Sequence, residues 1–558
     1  MSLRVVAGWE PALVFEGPVH EWAPRTLDGA LEALAAAENA IDEGYHIAGA
    51  LSYEFGAQLQ GIDAHASSAP LLLLGAYRAP VRRNLPRNGD RFAMTPPLSR
   101  VGRDVYESRI AHLLERIRDG EVYQVNYTLP FDLGFSGDPF ALYRFLARRA
   151  RARYAAYVEH DDVALVSLSP ELFLRFDGTH VSTKPMKGTA PLSNTAELEN
   201  EKNRAEHLMI VDLLRNDLHR VCEDVHVPRL FEVERYPTFA TMTSTITGKL
   251  GRASFGHIIR AAFPCGSVTG APKRAAMKHI YSEETQARGF YCGSVGFLSP
   301  QRRGWWNVAI RTLQVRSGAP SARFDTGGGI VSDSNAAAEW DEVFLKARFL
   351  TPAYAGFTLW ETLRCGPQPS DAAAHVDRLA ASAAAFGWHI ERDLLLSRLR
   401  GLDASQAAQF VRVRAGVSQV RLHTQPLEPT DEPVRICLSS ERVLSGDPLL
   451  AHKTAWRPLH EAASREAGRR GCFDALLCNE RGELTEGART TLFVRKDGVL
   501  YTPPLQSGVL PGILRSRLVS QAHAVERVLF PQDLHEADEL YVGNSARGLL
   551  QAKLVHDV

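Results

Sequence analysis

The feature that most constrains the fold is a break in the middle of the chain. A helix-like stretch ends at Thr351-Pro352, and a strand-like run begins at Gly356. Segments with helical and strand-like spacing alternate on both sides of this break. The sequence therefore predicts an α/β (α+β) protein with two domains, 1–352 and 356–558. The linker between them is too short to act as a flexible spacer, so we expect the domains to be neighbours.

The composition is that of an ordinary globular protein. Of 558 residues, 45% are hydrophobic and 23% are charged, and 64 Lys and Arg balance 64 Asp and Glu. Zero net charge gives no reason to expect nucleic acid or an anionic membrane as the main partner. The start has no signal-like apolar core, and no window suits a membrane span. Seven cysteines without a C-x-x-C pair indicate free thiols in a reducing, cytoplasmic compartment.

Acidic residues on two predicted helices could meet at one site. Residues 199–218 show helical spacing, with Glu206 in the turn before the apolar stripe. Residues 332–347 form a second helix that Ser334 or Asp333 can cap. One face of this second helix carries Glu339, Glu342 and Lys346. Such carboxylates are often only solvated helix charges, but together they could hold a hard cation such as Mg²⁺.

A lysine lies in a bend of the chain. Lys187 stands between Pro185-Met186 and Gly188-Thr189, where proline fixes the bend and glycine lets a ligand approach the backbone. Lys184 could lower the pKa of Lys187 if both face one cleft, and a neutral amine is what a nucleophilic lysine needs. The alternative is a surface turn with two solvated lysines.

Two glycine-rich turns, 263–273 and 325–334, can each aim backbone N–H groups at an anion. Neither turn is a P-loop or a dinucleotide fingerprint. Arg311 lies between them and can offer a bidentate fork to a carboxylate. These features indicate a site for a small polyanion, with or without a divalent metal.

The order of these motifs resembles the chorismate-utilising enzymes, which include anthranilate synthase component I and aminodeoxychorismate synthase component I. The resemblance covers roughly residues 100–350 and rests on SPELFL (169–174), KPMKGTAP (184–191), RAEHLMIVDLLRNDL (204–218), FPCGSVTGAPK (263–273), GFYCGSVGFLS (289–299), AIRTL (309–313) and GGGIV…DEVFLKA (327–347). It implies a fold with two antiparallel sheets and outer helices. It also implies that Glu206, Glu339 and Glu342 hold Mg²⁺ against the chorismate carboxylate.

Lys187 selects one activity within this family. Anthranilate synthases carry Ala at this position, whereas P-x-K-G-T resembles aminodeoxychorismate synthase, in which the lysine attacks ring C2 of chorismate. The resemblance implies that Glu171 is a general acid. It implies ligand contacts by Thr269, Gly270, Tyr291, Arg311, Gly327, Gly328, Gly329 and Lys346. The chain departs from the family pattern at Met186, at Asn203 and at Thr241, where many relatives have His.

In the second half, Lys453, Glu486 and Arg378 are candidate cofactor ligands, together with the turns 508–517 and 541–549. Lone lysines are usually solvated. A pyridoxal cofactor, however, needs one lysine for its aldehyde, one carboxylate for its ring nitrogen, and an arginine with backbone donors for its phosphate.

The second half resembles the fold type IV pyridoxal-phosphate enzymes, which include branched-chain and D-amino acid aminotransferases and aminodeoxychorismate lyase. The resemblance covers residues 356–558 and rests on FTLWETLR, H-x-x-R-L, HKT, LTEG…LF, GVLPGILR and NSARGL. It implies that Lys453 is the Schiff-base lysine and Glu486 the pyridinium partner. It implies phosphate contacts by Arg378, Ile513, Leu514 and Ser545. Thr491 stands where relatives often carry Asn.

Together the two resemblances imply synthesis of 4-aminobenzoate for folate from chorismate and ammonia, through aminodeoxychorismate and loss of pyruvate. No glutaminase signature is visible, so we expect free ammonia or a separate glutamine amidotransferase subunit, and a homodimer could form through the second domain. One alternative is an anthranilate synthase-like domain fused to a branched-chain or D-amino acid aminotransferase-like domain. Another is a catalytically silent scaffold, against which the retained Lys187, Lys453 and Glu486 argue.

Overall fold

The computed structural model describes residues 2–86, 91–190, 192–235, 240–316, 319–350, 354–355, 357–366, 371–403, 408–416 and 419–555. Its helices are α1 (Leu27–Asp42), α2 (Tyr53–Leu59), α3 (Arg103–Arg118), α4 (Pro139–Ala150), α5 (Glu201–His219), α6 (Phe255–Ala262), α7 (Lys273–Glu283), α8 (Ala336–Ala347), α9 (Ala372–Ala385), α10 (Arg392–Asp403), α11 (Pro458–Arg469), α12 (Ile513–Ser520) and α13 (Pro531–His535). In the described part of the chain, no helix is long and apolar enough to cross a membrane.

The strands of the first part are β1 (Arg4–Ala7), β2 (Ala12–Phe15), β3 (His20–Trp22), β4 (His46–Leu51), β5 (Leu72–Tyr77), β6 (Val81–Arg83), β7 (Phe92–Met94), β8 (Leu98–Ser99), β9 (Gln124–Gly137), β10 (Tyr154–His160), β11 (Val163–Ser169), β12 (Leu172–Asp177), β13 (His180–Lys184), β14 (Met186–Ala190), β15 (Glu223–Arg235), β16 (Ala240–Lys249), β17 (Gly270–Ala271), β18 (Ser294–Leu298), β19 (Arg303–Asn307), β20 (Thr312–Arg316), β21 (Ser321–Ile330) and β22 (Tyr354–Ala355).

These strands form two large sheets. One sheet has the order β22-β7-β9-β21-β20-β11-β10-β1-β2-β6, with β8 and β17 also paired to β9. The other has the order β14-β16-β13-β12-β19-β18-β4-β5-β3, with β15 also paired to β16. Both sheets are antiparallel, as in the hairpin β10–β11, which turns at Asp161 with a φ of 49°. A large apolar cluster, which includes Leu34, Phe173 and Trp306, fills the core.

The second part continues with β23 (Leu359–Cys365), β24 (Gln409–Ala415), β25 (Val420–Pro426), β26 (Val434–Val443), β27 (Asp474–Asn479), β28 (Leu484–Gly487), β29 (Thr491–Lys496), β30 (Val499–Thr502), β31 (Val525–Glu526), β32 (Glu539–Asn544) and β33 (Gly548–Leu554). The first three form a small antiparallel sheet. The others form a mixed sheet in the order β28-β27-β26-β33-β32-β29-β30-β31, in which β26 runs parallel to both neighbours.

The two parts of the chain touch at the end of β9. Ser136 Oγ lies 3.3 Å from Asp447 Oδ2. Two residues earlier, Gly134 packs so closely that a Cβ placed on it would lie 3.2 Å from Pro448 Cβ. The second part therefore packs against a strand of the first part's own sheet.

The predicted α/β class and the two antiparallel sheets with outer helices are confirmed. Near the start of the chain, β4 ends at Leu51 and α2 begins at Tyr53. The reason is Ser52, whose Oγ accepts a hydrogen bond from Phe55 N and caps the helix. The predicted break at Thr351-Pro352 and Gly356 lies outside the described residues.

Candidate active sites

A bulge in β14 presents Lys187. Lys187 pairs with Met242 and Ala190 pairs with Ala240, so two residues of β14 oppose Thr241. Gly188 has a φ of +68°, a conformation that favours glycine. Thr241 Oγ1 donates to Gly188 O at 2.7 Å and lies 3.3 Å from Lys187 O. Thr241 is fully buried, and its hydroxyl fixes the backbone that carries the lysine.

The amine of Lys187 points at the third glycine of the turn 325–334. A Cβ placed on Gly329 would lie 2.9 Å from Lys187 Nζ, so only glycine leaves room for the lysine there. Lys187 Nζ also lies 3.5 Å from Glu206 Oε2. Lys184 instead donates to Glu234 Oε1 at 2.5 Å. The two lysines thus have carboxylate partners on different elements, which gives no support to the hypothesis that they share a cleft.

Helix α8 packs against β21, the strand that carries Gly327, Gly328 and Gly329. A Cβ on Gly328 would lie 3.2 Å from Glu339 Oε2 and 3.6 Å from Lys346 Nζ. Lys346 Nζ donates to Gly327 O at 2.7 Å and lies 2.7 Å from Glu342 Oε1. The spacing of these residues predicted that Glu339 and Lys346 share one face of α8. In the structure both side chains lie at the glycines.

The cap of α8 differs from the prediction. Asn335 Oδ1 accepts from Ala338 N at 3.1 Å, which is the capping bond that Ser334 or Asp333 was expected to make. Ser334 accepts from Val331 N and donates to Glu339 Oε1 at 2.8 Å. The hydroxyl of Ser334 therefore orients the carboxylate of Glu339.

The three glutamates expected to hold Mg²⁺ do not form a metal cage as they stand. In the described part of the chain, no group of three His, Cys, Asp or Glu is placed to hold a metal ion. Glu206 faces Lys187, and Glu339 is held by Ser334. Glu342 is 52% exposed and pairs with Lys346. An ammonium group or a hydroxyl thus contacts one oxygen of each glutamate.

Glu171 is a buried carboxyl at the same site. It follows β11, and its side chain is only 4% exposed. Burial raises its pKa to about 7, although Ser267, Lys187 and the backbone of Met186 oppose the rise. Its Oε1 has no hydrogen-bond partner among the residues described. A carboxyl with these properties can carry a proton at neutral pH and deliver it to a ligand.

Gln124 is a site residue that the sequence analysis missed. It begins β9 and is fully buried, and neither atom of its amide has a hydrogen-bond partner in the described structure. A Cβ on Gly329 would lie 2.9 Å from its Nε2, so the amide lies beside Lys187 Nζ. Unpaired buried amides are costly, so this one indicates a place for a polar ligand. No pattern around Gln124 distinguishes it from an ordinary strand residue.

The remaining predicted contacts belong to the same domain. Gly270 has a φ of +142° and pairs with Val125, next to Gln124. Thr269 is fully buried, its hydroxyl donates to Gly266 O at 3.1 Å, and its backbone oxygen accepts from Asn126 N at 2.8 Å. Tyr291 is buried, and burial raises its pKa well above the usual range. Arg311 has a φ of +51° and accepts Leu168 N on its carbonyl oxygen.

Lys453 is the buried amine of the second part. Its Nζ donates to Thr362 Oγ1 at 2.6 Å. Burial lowers its pKa to about 8, although Glu361 and Glu486 partly oppose this shift. The neutral amine is therefore accessible near physiological pH. Thr362 in β23 was not predicted as a site residue, because a single threonine in a strand carries no signal.

A buried network joins the residues expected to contact the cofactor phosphate. Arg378 donates to both oxygens of Glu361, at 2.8 and 2.6 Å, and to Pro511 O. His375 bridges Glu361 at 2.6 Å and Ser545 Oγ at 2.7 Å. Burial disfavours the ionised form of Glu361, yet Arg378 and His375 hold its pKa at about 2. The network therefore brings Arg378 and Ser545 together around one carboxylate that the sequence analysis missed.

The first turn of α12 lies beside this network. We call this turn, together with Arg378, His375 and Ser545, the anion cup. The helix begins at Ile513 after Gly512, without a side-chain cap, so the N–H groups of Ile513 and Leu514 remain for an anion. The hydrogen bond from Arg378 to Pro511 O places the guanidinium next to this turn. A Cβ on Gly512 would lie 3.1 Å from Thr491 Oγ1.

Glu486 lies in a different polar cluster. Its Oε1 accepts from Arg457 Nη2 at 2.5 Å and lies 3.1 Å from His460 Nε2, and its Oε2 accepts from Leu510 N. Burial opposes ionisation, but Arg457 and His460 lower its pKa to about 2. Glu486 is thus a fixed, ionised acceptor. Arg457, four residues after Lys453, was not predicted to be its partner.

Comparison with known proteins agrees with this division. Residues 83–352 match the family described as chorismate binding enzyme, and residues 358–555 match amino-transferase class IV. The chain joins a chorismate binding domain to a class IV aminotransferase domain. The resemblances seen in the sequence are thereby confirmed at the level of the two domain families.

The relatives of the first domain include two activities. Aminodeoxychorismate synthase component 1 of Salmonella typhimurium is 37% identical over 52% of this chain and 65% of its own length. Anthranilate synthase component 1 of Saccharolobus solfataricus is 37% identical over 45% of this chain and 62% of its own. The chain thus spans less than two thirds of the curated relatives it matches. The crystal structure of anthranilate synthase component I from Streptococcus pneumoniae shares the fold, with a TM-score of 0.53 and 23% identity over 62% of this chain and 92% of that one.

Proposed function

We propose that the chain makes 4-aminobenzoate in two steps. The first domain replaces the 4-hydroxyl of chorismate by an amino group, and the second removes pyruvate from the product. The observation that carries the proposal is the position of Lys187 Nζ, between Gly329 and Glu206. In an anthranilate synthase the family pattern has Ala here, and no amine would reach the substrate ring.

In the first step, Lys187 acts as a nucleophile. Its amine attacks ring C2 of chorismate, the double bond shifts, and the 4-hydroxyl leaves. Ammonia then attacks C4 and expels the lysine, so one water is formed for each ammonia consumed. Thr241 holds the backbone of Lys187 through Gly188 O during both attacks. Glu206, 3.5 Å from the amine, is placed to take its proton.

Glu171 supplies the proton that the leaving hydroxyl needs. Burial raises its pKa to about 7, so a large fraction is protonated at neutral pH. Thr269, Gly270, Tyr291, Arg311 and Gly327–Gly329 are proposed to bind the two carboxylates and the ring. Lys346 fits this role, since it stands at Gly327 O.

Magnesium remains a weaker proposal. Carboxylates suit this ion, but Lys187 and Lys346 now stand beside two of the three candidates, Glu206 and Glu342. A bound metal would have to displace these ammonium groups. When bound, it would help to hold a carboxylate of chorismate, so we expect its removal to stop turnover.

Pyridoxal phosphate fits the second domain. A buried lysine, an ionised glutamate and an anion cup lie within one set of interacting groups, since Lys453 senses the charges of Glu361, Arg378 and Glu486. Lys453 would hold the aldehyde and Glu486 the ring nitrogen. Arg378, Ile513, Leu514 and Ser545 would hold the phosphate. When bound, the cofactor acts as an electron sink for the bonds at the substrate amine.

In the second step, Lys453 moves the proton. Its lowered pKa lets it take the hydrogen from the carbon that bears the amino group. Thr362 holds the amine in place through the bond from Lys453 Nζ. Loss of pyruvate then makes the ring aromatic, which drives the reaction.

We infer that ammonia comes from a separate glutamine amidotransferase, because the relative from Salmonella typhimurium is named as a component 1. A homodimer through the second domain is a further proposal.

The product identifies the function directly. The purified chain is incubated with chorismate, ammonium chloride, Mg²⁺ and pyridoxal phosphate, and the products are separated by mass spectrometry. We expect 4-aminobenzoate and pyruvate in equal amounts. Anthranilate instead of 4-aminobenzoate would support the alternative, an anthranilate synthase-like first domain.

A further inference from the structure

A cavity between α2 and α7 lies outside the sites described above. It lies between Tyr53, Glu54, Ile62, Met277 and Tyr281, is partly open to solvent, and has room for about one water-sized molecule. Its walls are apolar on the side of Ile62 and Met277. The functional assignment uses none of these residues.

The polar side of this cavity contains an unpaired carboxylate oxygen. Glu54 is 4% exposed, and its Oε1 accepts from Arg288 N at 2.8 Å and from Gly289 N at 3.3 Å. Its Oε2 has no hydrogen-bond partner among the described residues, and neither has the hydroxyl of Tyr53. Burial raises the pKa of Glu54 to about 7. Buried oxygens of this kind are costly unless a donor reaches them.

The charges around the cavity favour a cation. Glu54, Asp63 and Glu284 line it against a single guanidinium, that of Arg288. Arg288 is paired with Glu284 at 2.7 Å and stabilises the charge of Glu54 only in part, since the pKa of Glu54 stays at about 7, so a cation beside Glu54 would favour its ionised form. A small cation with N–H donors would satisfy both open oxygens and the excess charge.

The polar wall of this cavity also contacts strand β9, which pairs with the glycines of β21. Glu284 Oε1 accepts from the N and Oγ1 of Thr128, each at 2.9 Å, and Thr128 pairs with Gly327. Arg288 donates to Asn126 O at 2.7 Å and to Val268 O at 3.0 Å. The cavity is therefore one layer of polar residues away from the proposed substrate site.

We propose that this cavity binds the ammonium ion, with Glu54 Oε2 as its main acceptor. The site would hold the nitrogen source behind the strand at which it is used. This inference rests on the proposed amination of chorismate. Ammonium is the proposed occupant, since the space suits an ion of the size of water, Glu54 Oε2 is an acceptor, and the Tyr53 hydroxyl can also accept.

The test is Glu54→Gln in the full chain, with ammonium chloride as nitrogen source. Glutamine keeps the oxygen that accepts from Arg288 N and Gly289 N, but it places an amide donor where the free oxygen was. We expect the KM for ammonium to rise about tenfold, as for a lost charged hydrogen bond, with the KM for chorismate unchanged. Asp63→Asn, which removes the same charge at the exposed rim, should change neither KM. An unchanged KM for ammonium in a folded Glu54→Gln variant overturns the proposal.

A second measurement does not depend on activity or on the variant. The thermal midpoint of the unmutated chain is compared in ammonium, potassium and sodium chloride at equal ionic strength. We expect a higher midpoint in ammonium alone, because potassium has a similar size but no donors. Equal midpoints in the three salts mean that the cavity holds water only, and they overturn the proposal. If the unmutated chain does not aminate chorismate, the proposed function fails, whereas the salt comparison still decides the site.

Discussion

Lys453 Nζ donates to Thr362 Oγ1 at 2.6 Å, so the amine of the second site is held in place by a strand that lies 91 residues earlier in the chain. Thr362 is the neighbour of Glu361, which holds Arg378 and His375. One strand thus positions both the amine and the groups around the anion cup. This relationship predicts how the two halves of the reaction can be separated.

Lys453→Ala should abolish the visible absorbance of added pyridoxal phosphate on the protein, because it removes the buried amine placed to hold the aldehyde. The variant should still aminate chorismate and should accumulate aminodeoxychorismate without pyruvate. Lys496→Ala, which removes a partly exposed lysine of β29 that pairs with Glu536, is the matched control and should behave as the unmutated chain. Undiminished 4-aminobenzoate from Lys453→Ala would exclude the second domain as the lyase.

Lys187→Ala should stop or redirect the amination, since the nucleophile is lost, while aminodeoxychorismate added from outside should still be converted. Lys184→Ala is a close control, because Lys184 binds Glu234 and not the glycine strand. It should keep most of the activity. The measurement is aminodeoxychorismate formed per minute, and an unaltered rate in Lys187→Ala would refute the covalent mechanism.

Thr241→Val should lower kcat for amination roughly tenfold, because it removes the hydrogen bond to Gly188 O and lets the bulge at Lys187 move. Thr241→Ser keeps the hydroxyl and should restore most of the rate. The KM for chorismate should change little in either variant. A loss of rate in Thr241→Ser without a loss in Thr241→Val would mean that the methyl packing matters and the hydroxyl does not.

The amination rate should fall as the pH rises through about 7. The raised pKa means that Glu171 is protonated below that value and loses its proton above it, so the general acid is lost on the alkaline side. Glu171→Gln should reduce the rate by at least about a hundredfold and remove this limb of the profile. A profile that keeps the same limb in Glu171→Gln would assign it to another group.

Removing divalent metal with EDTA should stop chorismate turnover and spare the conversion of added aminodeoxychorismate. The proposed ligands Glu206, Glu339 and Glu342 belong to the first domain alone. Glu342→Gln should then raise the Mg²⁺ concentration needed for half-maximal rate. Full turnover in metal-free protein would mean that these three carboxylates serve only to bind Lys187, Ser334 and Lys346.

Much of this could be predicted from the sequence. Ordered motifs gave the two domain families, and helical spacing placed Glu339 and Lys346 on one face. The contacts that orient these groups could not be predicted, because they join residues far apart in sequence, such as Thr241 with Gly188 or Glu361 with Arg378. Spacing also cannot show that Lys184 and Lys187 have different partners, since a bulge changes which side chains share a face.

The length of β9 limits which insertions and deletions the chain can tolerate. Its 14 residues begin with Gln124 at the proposed substrate site and include Ser136 at the contact with Asp447. The insertion or deletion of one residue would turn every later side chain of the strand to the opposite face. A single such event would therefore disturb the register against β21 and the seam between the domains together. We expect lineages that keep this fusion to inherit the length of β9 as a unit, while the surface turns around it drift.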